Sequence, residues 1–204
     1  MLKNSIVASL TLALALCTAA PASAQGAASR YLERRHDEVN RLLRRSADTD
    51  TARSRRSTQL ATMLGELLDY EELSRRSLGD HWESREGPAR ERFVTLLRQL
   101  VERNYENNLE RTLEYDVEYV REARRGEETI VYTEARSRTQ RRQPPIAIDY
   151  TLRPEGSRFR VVDITTDGVS LVDNYRAQFN RIIDRDGWDA LIERMQQRLN
   201  TERG

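Results

Sequence analysis

The sequence of 204 residues contains one lysine, one cysteine and two histidines. Lys3 and Cys17 both fall within the first 24 residues, so the rest of the chain has neither a disulfide nor thiolate chemistry. Two histidines without a second ligand at metal spacing give no zinc pattern. Glycine is scarce at nine residues, and neither a phosphate-cradling loop nor a Gly-x-Ser-x-Gly elbow occurs. Long apolar runs are missing apart from Ile6 to Ala20. Nothing after that run approaches the roughly 20 apolar residues needed to span a bilayer. An excess of one charge is missing as well.

The one apolar run follows Lys3 and precedes a small-x-small site, Ala22-Ser23-Ala24. That is the layout of a secretory signal peptide (residues 1–24) cleaved after Ala24, which makes the chain an exported one. Cys17 does not make it a lipoprotein signal, because the bulky Leu16 stands where a small residue is required. Removing the leader takes the single lysine away and leaves 33 arginines against 33 acids. Such a balance excludes the broad basic field of a general nucleic-acid binder. Residues 25–204 suit one domain with a core that needs no covalent staple.

Apolar periodicity predicts helices in the first half. Gln25 to Ser29 reads as a mobile leader, and Tyr31 to Arg45 as a charged, weakly amphipathic helix carrying Leu32, Val39, Leu42 and Leu43. After a polar break from Ala47 to Ser54, Leu60, Met63, Leu64, Leu67 and Leu68 recur at helical spacing. Asp69 with Glu72 forms a capping pattern that starts a short helix, and Gly79 stops it. Gly87-Pro88 opens another helix, with the stripe Phe93, Leu96, Leu97, Leu100, Val101, Tyr105 and Leu109.

Near Glu114 the period changes to alternation. Strands are expected at Tyr115, Val117 and Tyr119; at Thr129 to Arg138; at Pro145 to Arg153, with Ile146, Ile148, Tyr150 and Leu152 on one face; and at Arg158 to Thr166 after the turn Pro154 to Ser157. Their short connections make an antiparallel meander. Two helices follow, one with Val169, Val172, Tyr175, Phe179, Ile182 and Ile183, the other with Trp188, Leu191, Ile192, Met195 and Leu199. The fold class is therefore α+β, a twisted antiparallel sheet of about four strands packed with N- and C-terminal helices.

Few residues carry chemistry. His36, in His36-Asp37-Glu38, reads as part of a solvated helix face, and His81 lacks any ligand partner at spacing. Asp163 lies in the apolar strand Val161-Val162-Asp163-Ile164. It is either a general base of raised pKa in a cupped sheet, or a structural carboxylate that pairs with arginine or caps a neighbouring element. Arg136, Arg138, Arg141 and Arg142 precede Pro144-Pro145. They form either a solvated hairpin tip or a contact for lipid headgroups or an acidic partner.

Three stretches together resemble one family. The first is Leu67-Leu68-Asp69-Tyr70-Glu71-Glu72-Leu73-Ser74, continuing to Ser77-Leu78-Gly79-Asp80-His81-Trp82. The second is Phe93-Val94-Thr95-Leu96-Leu97 with Leu100 and Tyr105-Glu106-Asn107-Asn108-Leu109. The third is Phe159-Arg160-Val161-Val162-Asp163-Ile164, then Asp167 to Arg176, Gln178-Phe179 and Gly187. In order and spacing they are similar to the MlaC family, the periplasmic phospholipid-binding component of the Mla lipid-transport system, also called the toluene-tolerance Ttg2 family. Phe159 stands where the family usually has tryptophan and Asp167 where it often has glutamate. The N-terminal helix is unusually charged.

The resemblance implies helices wrapped around the sheet to enclose an apolar cavity for acyl chains. It implies a periplasmic carrier, not an enzyme, with phospholipid as cargo and no cofactor. The partners it implies are an outer-membrane lipoprotein–porin complex and an inner-membrane ABC transporter lipid-transport complex. Nothing in the sequence demands more than a monomer. On that reading the inward stripes supply the lining: Leu64, Leu68, Phe93, Leu97, Leu100, Val117, Tyr119, Tyr132, Ile148, Tyr150, Ile164, Val169, Tyr175 and Phe179. Tyrosines suit a wet rim. Ordinary core packing competes with lipid contact for each of them. Two rival functions are a small-molecule enzyme using Asp163 as base and a structural adaptor with a filled core.

Overall fold

A computed structural model describes residues 26–107, 111 and 113–201. The expected leader (1–24) and Leu109, the last residue of the stripe that starts at Phe93, lie outside the described residues. The first helix, α1 (Ala27–Leu43), begins inside the segment expected to be a mobile leader, and Ala28 and Ser29 are buried. Its N-terminal cap comes from far along the chain. The Glu122 carboxylate accepts both the backbone N–H and the hydroxyl of Ser29 at 2.9 Å. A Cβ on Gly26, the residue before the helix, would land on that carboxylate, so the Glu122 side chain would have to move aside.

Helix α2 (Asp50–Leu67) also starts early, within the expected polar break, because the Thr49 hydroxyl caps the N–H of Ala52. Asp69 does cap α3 (Tyr70–Leu78) by accepting from the Glu72 N–H at 3.0 Å, and Gly79 ends it at φ 56°. A single turn, α4 (Asp80–Glu83), precedes α5 (Gly87–Asn107).

The meander follows as β1 (Tyr115–Arg125), β2 (Glu128–Ser137), β3 (Ile146–Glu155) and β4 (Arg158–Thr166). A two-residue β5 (Val169–Ser170) makes the antiparallel sheet five-stranded, in the order β1-β2-β3-β4-β5. Val169, expected on the following helix, therefore sits in β5. Ser170 caps α6 (Leu171–Asp186) by accepting from the Asp173 N–H, and α7 (Trp188–Thr201) closes the chain. Seven helices thus accompany the sheet among the described residues.

Register fixes which side chains share a face. Tyr119 pairs with Thr133 and Thr133 with Ile148; Val131 pairs with Tyr150 and Tyr150 with Ile164; Leu152 pairs with Val161. Irregularities at Tyr119/Arg121 and Thr151/Leu152 insert an extra residue into β1 and β4, which bends a strand and sharpens its twist. Across this face lies α1, with Tyr31 against Phe159 at 5.7 Å and His36 against Tyr150 at 5.3 Å between ring centroids.

Two apolar clusters result. One joins α1, α2 and α3 to this sheet face through Leu32, Leu64, Leu73, Val131, Leu152 and Val161. The other is formed by helices, with Leu78, Trp82, Phe93, Leu97, Phe179 and Leu191. An ionic network links the layers. Glu72 accepts from Arg75 Nε at 2.8 Å and from Arg76 Nε at 2.7 Å, and Arg76 also reaches Glu128 at the start of β2. The Arg76 carbonyl in turn accepts from Arg176 Nε of α6 at 2.8 Å.

Candidate functional site: an apolar trough open at one end

Burial is uneven across the helix-facing side of the sheet. Leu152, Val161 and Val131 are 0% exposed, and Thr133 and Ala135 further along β2 are buried as well. On the strands beside them Tyr150, Ile164, Tyr119 and Ile148 are only partly buried. At the far end Val117 is 37% and Val169 61% exposed. The N-terminal part of α1 covers the closed end through Ser29 and Tyr31, while Val101, Tyr105 and Leu113 pack partly buried against the same cluster. An apolar strip left uncovered at one end is the kind of surface that marks a binding groove.

His36 does not lie on a solvated face, as its charged neighbours suggested. Its ring sits between Tyr119 and Tyr150, and its Nδ1 is 2.5 Å from the Tyr119 hydroxyl. Burial lowers its pKa to about 4 and pushes both tyrosine hydroxyls up. The helical stripe Leu32, His36, Val39 and Leu43 contains the signal that would have found it.

A stability consequence follows from this depressed pKa. The unfolded chain binds a proton at His36 near pH 6.5, whereas the folded chain resists it down to about 4. The contribution of the neutral imidazole is complete above pH 6.5 and is lost as the pH falls to 4, a change of about 3 kcal/mol. Urea denaturation at pH 7 and pH 4.5 should show this loss in the native protein and not in His36→Leu. An identical pH dependence in the variant would contradict it.

The expected lining residues separate into groups. Val117, Tyr119, Ile148, Tyr150 and Ile164 share the trough, with Val169 on its rim. Leu64 and Leu68 pack in the cluster at its closed end. Phe93, Leu97 and Phe179 are buried in the helical cluster, and Leu100 and Tyr175 pack on it. Tyr132 faces the other side of the sheet, because its neighbours Val131 and Thr133 occupy the trough side. There the Arg121 guanidinium stands 3.4 Å over its ring.

The arginines divide too. Arg136 pairs with Glu134 at 2.5 Å, and Arg138 holds Asp116 through Nε at 2.8 Å. Arg141 and Arg142 are exposed and make no ion pair among the described residues. Asp163 pairs in register with Thr151, on the face opposite the trough. Its oxygens accept the Ile164 N–H at 2.8 Å, the Ser170 hydroxyl at 2.7 Å and the Val172 N–H at 3.2 Å. The bonds from Ser170 and Val172 anchor the start of α6, and all three engage the carboxylate on the face away from the trough. His81 pairs with Asp184 at 3.3 Å. The described residues contain no group of three or more potential metal ligands, and none of their helices is long and apolar enough to cross a membrane.

Comparison with known proteins adds two similarities. The family described as MlaC protein matches residues 33–197. A solved structure of the phospholipid-binding protein from Ralstonia solanacearum, in complex with a phospholipid, superposes with a TM-score of 0.70 at 17% identity. The superposition covers 87% of this chain and 99% of that one. At such identity the likeness establishes a shared fold. No curated protein matches the chain.

Proposed function

Because the chain belongs to the MlaC protein family, we propose that it is a phospholipid carrier of the periplasm, with the trough as its acyl-chain site. After removal of residues 1–24, residues 25–204 form a single lipid-binding domain. It moves phospholipid between an outer-membrane lipoprotein–porin complex and an inner-membrane ABC transporter complex, and so maintains outer-membrane lipid asymmetry. The observation that carries this reading is one apolar sheet face that is only partly covered, with Leu152 at 0% and Val117 and Val169, at the other end of the strands, at 37% and 61% exposed. The phospholipid bound to the structural neighbour supports it.

Elementary energetics suit the role. The two chains of a phospholipid hold about 30 methylenes, each gaining about 0.8 kcal/mol on leaving water. Release into water is therefore prohibitive, whereas passage from one apolar site to another is nearly neutral. Exchange then takes place at docked complexes, with little spontaneous loss. Binding rather than catalysis also agrees with Asp163, whose oxygens accept from Ile164 of its own strand and from Ser170 and Val172 at the start of α6.

Native mass spectrometry of mature protein purified without detergent tests the proposal. The expected result is a stoichiometric adduct that extracts as diacyl phospholipid. Apo protein that also takes up no phospholipid from vesicles would overturn it.

A further inference from the structure

Without its leader the chain has no net charge, yet its arginines are unevenly matched. Six of them lie on three segments: Arg44 and Arg45 at the end of α1, Arg55 and Arg56 in the early turns of α2, and Arg141 and Arg142 in the β2–β3 loop. All but the half-buried Arg56 are exposed, and none of the six makes an ion pair among the described residues. Most nearby acids are already engaged, Glu38 by Arg35, Asp50 by Arg53, Glu118 by Arg136 and Asp116 by Arg138; Asp48, between the first two segments, accepts the Ser46 hydroxyl.

These segments are neighbours in space. Arg45, Arg55 and Arg56 line one depression of about 250 Å³ where α1 ends beside α2. The β2–β3 loop meets the start of β1, where the Arg138 N–H donates to the Glu114 carbonyl and Arg138 Nε to Asp116, each at 2.8 Å; Arg138, and more weakly Arg44 and Arg141, hold the Asp116 carboxyl below the usual range. The rim therefore closes around the beginning of β1, one residue from the exposed Val117 of the trough.

We propose that this arginine rim is a docking surface for an anionic lipid bilayer, which it meets with the open end of the trough. An acidic protein is the competing occupant, and two features favour the bilayer. The unpaired charge is spread over three separate segments, which suits a diffuse layer of phosphates better than a shaped patch. Exposed Val117 and Val169 lie at the same open end, so phosphate-binding and apolar groups stand together as they do in a headgroup–acyl boundary. The docking orientation rests on the carrier reading, whereas the attraction to an anionic surface does not.

Sedimentation of the mature full chain with vesicles tests this. The comparison is phosphatidylcholine alone against phosphatidylcholine mixed with phosphatidylglycerol, at low and high salt. Each basic residue near an anionic leaflet strengthens partitioning about fivefold, so Arg44→Gln/Arg45→Gln and Arg141→Gln/Arg142→Gln should each weaken binding to the mixed vesicles by about 25-fold. High salt should weaken binding by the native protein as well. Thermal unfolding and native mass spectrometry of the same variants should show an intact fold and unchanged bound lipid, which separates this result from failure of the carrier reading. Equal binding to uncharged vesicles, or double variants that bind as the native protein does, would overturn the proposal. Absence of binding to the mixed vesicles at low salt would overturn it too and leave the rim to an acidic protein.

Discussion

Glu72→Ala should destabilise the protein by about 1–3 kcal/mol, because it removes a buried carboxylate that accepts charge-assisted hydrogen bonds, while Arg76 keeps Glu128 and Arg75 is half exposed. Glu72 is 8% exposed, and its carboxylate accepts three hydrogen bonds from two arginines. Its loss takes one acceptor from Arg76, which joins α3 to Glu128 at the edge of the sheet and, through its carbonyl, to Arg176 of α6. Guanidinium denaturation at neutral pH reads the effect as a lower midpoint. The pH dependence supplies a second signature. Hydrogen bonding to Arg75, and then to Arg76, depresses the carboxyl pKa to about 2. The stabilisation is thus fully present above the ordinary carboxylate range near 4.5 and is lost as the pH falls towards 2. Glu72→Ala should lack that acid-sensitive component. A variant within about 0.5 kcal/mol of the native protein would show that the network contributes little.

Ile148→Asp should reduce phospholipid occupancy by two to three orders of magnitude while leaving the protein folded. Ile148 lies in the middle of the trough and is only partly buried, so the empty protein can hydrate a carboxylate there. Acyl chains laid over it would strip that water away, at a cost of several kcal/mol without a compensating partner. Lipid extracted per mole of protein measures the loss, and circular dichroism checks the fold. Val169→Asp is the internal control: at 61% exposure its side chain is already wet, and occupancy should fall far less. Equal lipid content in Ile148→Asp and native protein would place the acyl chains elsewhere.

Local signals explain which parts of the fold were readable in the sequence. The strand from Arg158 to Thr166 is bounded by a turn on each side, and the observed β4 has the same limits. Asp69 and Gly79 act through their own backbone neighbourhoods, so they mark α3 directly. The start of α1 was hidden because its cap, Glu122, lies 93 residues from Ser29. β5 was hidden for another reason: two residues are too few to show alternation, and Val169, Val172 and Tyr175 happen to be spaced like a helix. The trough was legible only in part. An apolar stripe says that Phe93 or Phe179 is buried, but not whether it packs on the sheet or on other helices. His36 was missed because charged neighbours concealed its place among Leu32, Val39 and Leu43.

The treatment of β4's outer edge bears on aggregation. Leu68 pairs alongside Val161, with the Asp69 N–H donating to the Val161 carbonyl at 2.9 Å and Arg160 holding the Leu68 carbonyl at 2.8 Å. Further along, β5 covers Thr165 and Thr166. The opposite edge, β1, is interrupted by its irregularity after Tyr119 and carries exposed Asp116, Glu118, Arg121 and Arg124. Charged, interrupted or capped edges resist the addition of a strand from another molecule. A chain that must expose an apolar strip whenever its cargo leaves would otherwise offer passing copies both a sticky surface and a backbone template. With both edges protected, a collision between two unloaded molecules can bury some apolar surface but cannot lock them into a shared sheet, so the encounter stays reversible.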